Sequence, residues 1–194
     1  MPQVATSWDK VENEDAIIFT LRNDVLFHNG KKLTAQDGKF SFERAKGKGN
    51  DEYANINSVD ILDEGTKVKI NLKSLPAFVY EPIARSRILD KDAVEQNELE
   101  GLKVGSGPYQ LVSLDSSEKV INLKLFDKYF DKEKIKNSQK EIVFKTISNQ
   151  DTALLQLSAG TVDAVLNFPV NKVADAKNKK ILQLLKMPLL NVVI

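Results

Sequence analysis

The chain's one histidine, His28, lies in the stretch FTLRNDVLFHNGKKLTAQDGKFSFERA, Phe19 to Ala45, among the charges of Arg22, Asp24, Lys31, Lys32 and Asp37. An imidazole can hold a metal or move a proton near neutral pH. Metal binding needs partners, and the chain offers no second histidine and no cysteine. A metal site would therefore rest on carboxylates. His28 reads instead as a surface or edge-strand residue just before a turn.

Other groupings invite chemistry and then fail its spacing. Val104 to Tyr109, VGSGPY, is rich in glycine, but a phosphate-cradling loop ends in Gly-Lys-Ser/Thr before a helix. This segment ends in Pro108-Tyr109 and enters a strand pattern. It is not a nucleophile elbow either, because that motif has a residue between glycine and serine and a histidine later in the chain. Asp60, Asp63 and Glu64 with Gly65 lack the twelve-residue calcium pattern and its closing glutamate, so they read as a hairpin turn. Asp163 stands alone, as turn or capping carboxylates do, and no paired-carboxylate spacing stands out. Trp8, Phe126, Tyr129 and Phe130 could stack on a ligand, although core packing is the stronger expectation for such a group. The residues thus mark no catalytic constellation, no metal site and no cofactor.

Composition narrows the partners. The net charge is +1, with lysines spread along the chain, which gives no reason to expect nucleic acid. The run Lys177 to Lys180 reads as a solvated helix end. Without cysteine there are no disulfides and no thiolate chemistry. No apolar run reaches the roughly 18 residues that span a bilayer, and no signal-peptide pattern opens the chain.

The elements follow from periodicity and turn chemistry. Ala16 to Arg22 is a β-former run, and Asn29-Gly30 predicts a turn. Thr34 as N-cap with Asp37 three residues on predicts a helix start. Phe40, Phe42 and Ala45 give that helix an apolar side, while Gly38 is out of place inside it. Gly47 to Asn55 reads as a polar loop. Ile56 to Leu72 predicts two strands around Asp63-Glu64-Gly65, with Val68, Ile70 and Leu72 on the buried face. Pro76 to Leu89 reads as a short helix. Gly101 to Asp115 predicts a glycine turn and a strand, Lys119 to Phe130 its antiparallel partner, and Glu141 to Ile147 another strand. Gln150 onward predicts a helix capped by Asn149 to Asp151 and closed by Gly160. Val162 to Phe168 is a further strand candidate, followed by a short helix and the apolar end LLNVVI. The class is α/β, or mixed α+β, with a mixed sheet and β-hairpins.

Several of these segments, taken in order, resemble a known family. Ser7-Trp8, Phe19-Thr20-Leu21-Arg22, Phe27-His28-Asn29-Gly30, Leu33-Thr34-Ala35-Gln36-Asp37 and Glu43-Arg44 resemble the characteristic region of the family 5 solute-binding proteins, the extracellular peptide and nickel receptors of ABC importers. Val104 to Tyr109 is similar to that family's Gly-Thr-Gly-Pro-Tyr turn, Phe126 to Phe130 to its Asn-Pro-x-Tyr-Trp, and Ala159 to Asp163 to its Ala-Gly-Glu-Ile-Asp.

The resemblance implies a periplasmic-binding-protein-like fold of type II, of which this chain is a partial first lobe. Residues 1–100 would form a peripheral subdomain and 101–194 part of the core α/β subdomain, with the second lobe absent. It also implies a binding protein that is not an enzyme. Its cargo would be a peptide or a nickel chelate, its partner an ABC permease, and its place extracytoplasmic. Membrane attachment would come through a lipid anchor outside this chain. Asn167, Phe168 and Pro169 are the expected ligand-facing residues, since strand ends open toward the cleft in α/β sheets. Tyr109 and Trp8 are further candidates. The other class left open is an interaction or sensor module that uses exposed strand edges. Gly38, in place of a hydrophobic residue, and the short region from Arg44 to Ile56 depart from the family pattern.

Overall fold

The computed structural model describes residues 4–75 and 79–166. The helix and strand expected after Phe168, including Lys177 to Lys180 and LLNVVI, lie outside the described residues. Strands β1 (Ala5–Lys10), β2 (Ala16–Leu21), β3 (Ile56–Leu62) and β4 (Lys67–Leu72) form one sheet in the order β1-β2-β4-β3. All three of its pairings are antiparallel. Helix α1 (Ala35–Gly47) lies against β3 and β4. Three short helices follow: α2 (Tyr80–Arg85), α3 (Lys91–Gln96) and α4 (Glu98–Gly101). A second sheet has the order β5 (Tyr109–Asp115), β6 (Val120–Leu125) and β7 (Glu141–Lys145). Helices α5 (Lys132–Ile135) and α6 (Gln150–Ser158) complete the described elements. The described residues form two compact units: residues up to Val112 with Leu123–Ile142, and Ser113–Asn122 with residues 143–166.

The main core of the first unit follows from strand alternation. On β4 the side chains of Val68, Ile70 and Leu72 are buried, while Lys67, Lys69 and Asn71 point away. Ile17 of β2 stands opposite Ile70, and both are fully buried. Phe42 of α1 closes the cluster with Tyr53, Ile56 and Val59. Lys69, on the outer face, meets Glu14 at 2.5 Å. The expected turn at Asp63-Glu64-Gly65 is present, with all three residues at positive φ.

A buried ionic network joins the motif around His28 to the rest of this unit. The Lys31 ammonium lies 3.0 Å from Asp37, 2.7 Å from Asp90 and 2.8 Å from Asp92. Asp37 is 0% exposed and Asp90 1%. The second Asp37 oxygen accepts the backbone N–H and the hydroxyl of Thr34, at 2.9 and 2.7 Å, which fastens the start of α1. Lys91 N–H donates to the first oxygen at 3.0 Å. Asp90 accepts from the Asn29 amide at 2.7 Å and caps α3 through the N–H groups of Asp92 and Ala93. Burial alone would lower the Lys31 pKa, but its hydrogen bonds to Asp90, Asp92 and Asp37 raise it above the ordinary value. Burial would likewise raise that of Asp90, and the bonds from Lys31 and Asn29 hold it below the ordinary value. Among the described residues every buried side-chain nitrogen and oxygen has a partner.

Two expectations need correction, and one stretch without an assigned element is helical. The polar loop from Gly47 to Asn55 carries a 3-10 turn, Asp51–Tyr53, that buries Tyr53 edge-on to Phe42. Its polarity hid one anchoring aromatic. The unassigned stretch holds the short helices α3 and α4 because Asp90 and Asn97 each cap one through their side chains. Gly101 is required there: a Cβ would sit 2.4 Å from the Val94 backbone. The described part of the Val162 to Phe168 candidate, residues 162–166, forms no strand.

Gly38 has a different standing. A Cβ there would lie 3.6 Å from Val68 Cγ2, an ordinary contact. Gly38→Ala is therefore expected to stabilise the chain by about 0.5–1 kcal/mol, through helix propensity alone. Chemical denaturation would show it as a higher midpoint at unchanged slope. Lys31→Met leaves two buried carboxylates without their cation, which costs on the order of 3 kcal/mol. The same measurement should show a loss of that size, against a loss under about 0.5 kcal/mol for an ordinary surface lysine.

Candidate functional site

The Asn29-Gly30 signal produces a tight hairpin. Phe27 N–H donates to Lys31 O and Gly30 N–H to Phe27 O, both at 2.8 Å, and Gly30 has φ +87°. This is a three-residue loop, His28-Asn29-Gly30, whose last position needs the left-handed conformation. Around it only Leu26 and Lys32 make a β-bridge. His28 is thus a half-buried loop residue and not a surface or edge-strand one. The hairpin turns before a strand can extend, and this carries the imidazole inward.

Its surroundings are the glycine turn expected at Val104 to Tyr109. His28 N–H donates to Gly105 O at 2.8 Å. Gly105 N–H donates to His28 Nδ1 at 3.2 Å, and His28 Nε2 lies 3.0 Å from Gly107 O. A backbone N–H can only donate and a carbonyl can only accept. The pair therefore dictates the neutral tautomer with its proton on Nε2. The ring stands edge-on to Phe126 at 5.0 Å, and a Cβ on Gly105 would approach its Cε1 to 3.3 Å. Burial lowers the pKa of the imidazole from its ordinary value, and the bond to Gly107 pulls weakly the other way. With both nitrogens engaged, the ring has no lone pair left for a metal. Among the described residues no group of three or more histidine, aspartate or glutamate side chains could hold one.

Beside this clasp lies a cleft of about 250 Å³, lined by His28, Asn29, Gly30, Gln110 and Lys124 to Lys128. Among its lining side chains Lys124, Asp127 and Lys128 carry charge. Phe126 and Tyr129 are buried and form a small cluster with Ile135. Arg22, paired with Asp24 through two bonds of 2.8 and 2.7 Å, lies over the Phe130 ring at 4.5 Å. These three aromatics serve packing.

The expected ligand-facing residues fare unequally. Asn167, Phe168 and Pro169 lie outside the described residues. Trp8 is on the edge strand β1, opposite Phe19, and is 45% exposed. Tyr109 opens β5, and its hydroxyl donates to Gln139 O at 2.7 Å. Neither Trp8 nor Tyr109 lines the cleft. The clasp of His28 on Gly105 and Gly107 escaped the sequence reading. The signals for it were one histidine and one Gly-x-Gly turn, but nothing in the sequence shows that they meet.

The chain is similar to known proteins over most of its length. Residues 1–193 match the model of the bacterial extracellular solute-binding proteins, family 5, middle region. The nickel-binding protein NikA of Staphylococcus aureus is 26% identical over 177 residues, covering 90% of this chain and 35% of that protein. The oligopeptide-binding protein OppA of Bacillus subtilis is 28% identical over 172 residues, covering 75% of this chain and 31% of OppA. Among solved structures, NikZ from Campylobacter jejuni in complex with Ni(L-His) superimposes with a TM-score of 0.76 at 28% identity. That match covers 91% of this chain and 36% of NikZ. The chain thus spans about a third of the length of the curated relatives it matches.

The Tyr109 hydroxyl ties the start of β5 to the Gln139 carbonyl. Tyr109→Phe is expected to cost about 0.5–1 kcal/mol of stability, the worth of one partly solvated hydrogen bond. Thermal and denaturant unfolding of the variant against the parent chain checks this.

Proposed function

The chain belongs to the bacterial extracellular solute-binding proteins of family 5, and from that premise we propose that it is part of the substrate-binding component of an ABC importer. It would help capture a peptide or a nickel chelate outside the cytoplasmic membrane and deliver it to the permease. The family match across residues 1–193 carries the reading. The relatives divide between these cargoes: one is named for nickel and another for oligopeptides.

In this reading the chain contributes part of a first lobe, with residues 1–100 peripheral and 101–194 in the core of that lobe. Asn167, Phe168 and Pro169 face the ligand, joined by Tyr109 and Trp8. The exposed indole of Trp8 suits stacking on a ligand. A lipid anchor outside the chain holds the protein at the membrane. The role in this reading is capture, in keeping with the relatives, which are named as binding proteins. No described helix is long and apolar enough to cross a membrane. Receptors of this kind work by closing over a ligand that binds the closed state more tightly.

Native mass spectrometry of the full gene product, purified without refolding, tests the reading. The expected spectrum shows a ladder of short-peptide masses, or a single small adduct with the nickel isotope pattern. An unliganded mass that persists after incubation with mixed peptides and with nickel and histidine would contradict it.

A further inference from the structure

We propose that His28 is an acid-released latch: its protonation frees the Gly105–Gly107 turn and loosens the edge of the cleft that His28 lines. The latch rests on geometry. The Nδ1 lone pair accepts the Gly105 N–H at 3.2 Å, while the proton on Nε2 is donated to Gly107 O at 3.0 Å. A proton from solvent can enter only at Nδ1. There it consumes the lone pair and sets an N–H against the Gly105 N–H. That hydrogen bond must break, whereas the bond from Nε2 to Gly107 survives and gains charge assistance. The ring stands edge-on to Phe126, and an imidazole that turned over would set a C–H where Nε2–H now meets Gly107 O, so it could not turn and keep that partner. The turn must give way instead.

The turn is coupled to the cleft. Phe126 N–H donates to Pro108 O at 2.8 Å, immediately after the turn, and Phe126 and Gln110 both line the cleft. The charged groups nearby are Lys124, Asp127 and Lys128 in the cleft, Lys103 paired with Glu100 ahead of the turn, and Asp90 with Lys31 beyond Asn29. Both partners of the imidazole itself are backbone groups.

The sign is fixed by the folded environment, where burial lowers the His28 pKa. The unfolded chain therefore takes up its proton first as pH falls. The latch's contribution is complete above the unfolded value of about 6.5 and is lost as pH falls from there through the lower folded value. Asp90, also lowered, keeps its contribution down to the unfolded aspartate value of about 3.9 and loses it only below that. Glu98, lowered by its bonds to Arg44 and Lys48, starts to lose its contribution at the unfolded glutamate value of about 4.3, so the window from about 6.5 down to there belongs to His28.

A single histidine makes the test unambiguous. Imidazole 15N resonances followed from about pH 7.5 to about pH 4.5 should show the proton on Nε2 at neutral pH and a midpoint below about 6.5. Over the same range the exchange protection of the Gly105 amide should fall about tenfold, the worth of one backbone hydrogen bond, with the midpoint of His28. The Ile70 amide should keep its protection. In His28→Gln the protection of Gly105 should no longer depend on pH in this window. A proton on Nδ1 at neutral pH, pH-independent Gly105 protection while His28 titrates, or simultaneous loss at Gly105 and Ile70 would each overturn the proposal. So would an unchanged acid loss at Gly105 in His28→Gln.

Discussion

One ammonium group ties the hairpin and the start of the helix that follows it to a third segment 59 residues away. Lys31 sits on the hairpin, Asp37 in the first turn of α1, and Asp90 at the cap of α3. Two carboxylates have been taken out of water to make this junction, and isolated carboxylates in such a place cost several kcal/mol each. The cation offsets that cost, and the remaining oxygen valences are filled by Thr34, Lys91, Asn29 and the α3 backbone. The network fixes where the hairpin points. It thereby sets His28 against the glycine turn and the start of α1 against the four-stranded sheet.

That arrangement gives the charged and polar groups of this stretch structural partners. Its lysine neutralises buried carboxylates, its aspartate staples a helix, and its histidine is consumed by two backbone groups. Each group works by hydrogen bonding in a low-dielectric setting, where a satisfied network is strong and a broken one is costly.

The local parts of the fold were legible in the sequence because their causes are local. The alternation of Val68, Ile70 and Leu72 gave a strand and its buried face. Thr34 and Asp37 gave a helix start, Gly30 a turn, and Asn149 and Gly160 the ends of α6. The missed helices at 91–101 are each six residues or fewer and depend on the caps Asp90 and Asn97 more than on any apolar period. Tyr53 was hidden in a polar segment for the same reason. The candidate site was less legible. His28 meets Gly105 across 77 residues, and Lys31 meets Asp90 across 59. Neither pairing leaves a periodic trace. Family resemblance carried the functional reading where residue chemistry could not.

The claim at the centre is that the Lys31–Asp90 pair is one cooperative unit of the fold and not two independent surface charges. A double-mutant cycle with Lys31→Met and Asp90→Asn measures it directly by denaturant unfolding of the two single variants and the double variant. A unit predicts that the second substitution costs much less once the first is made, with a coupling of about 1–3 kcal/mol. Losses that add to within about 0.3–0.5 kcal/mol would contradict it.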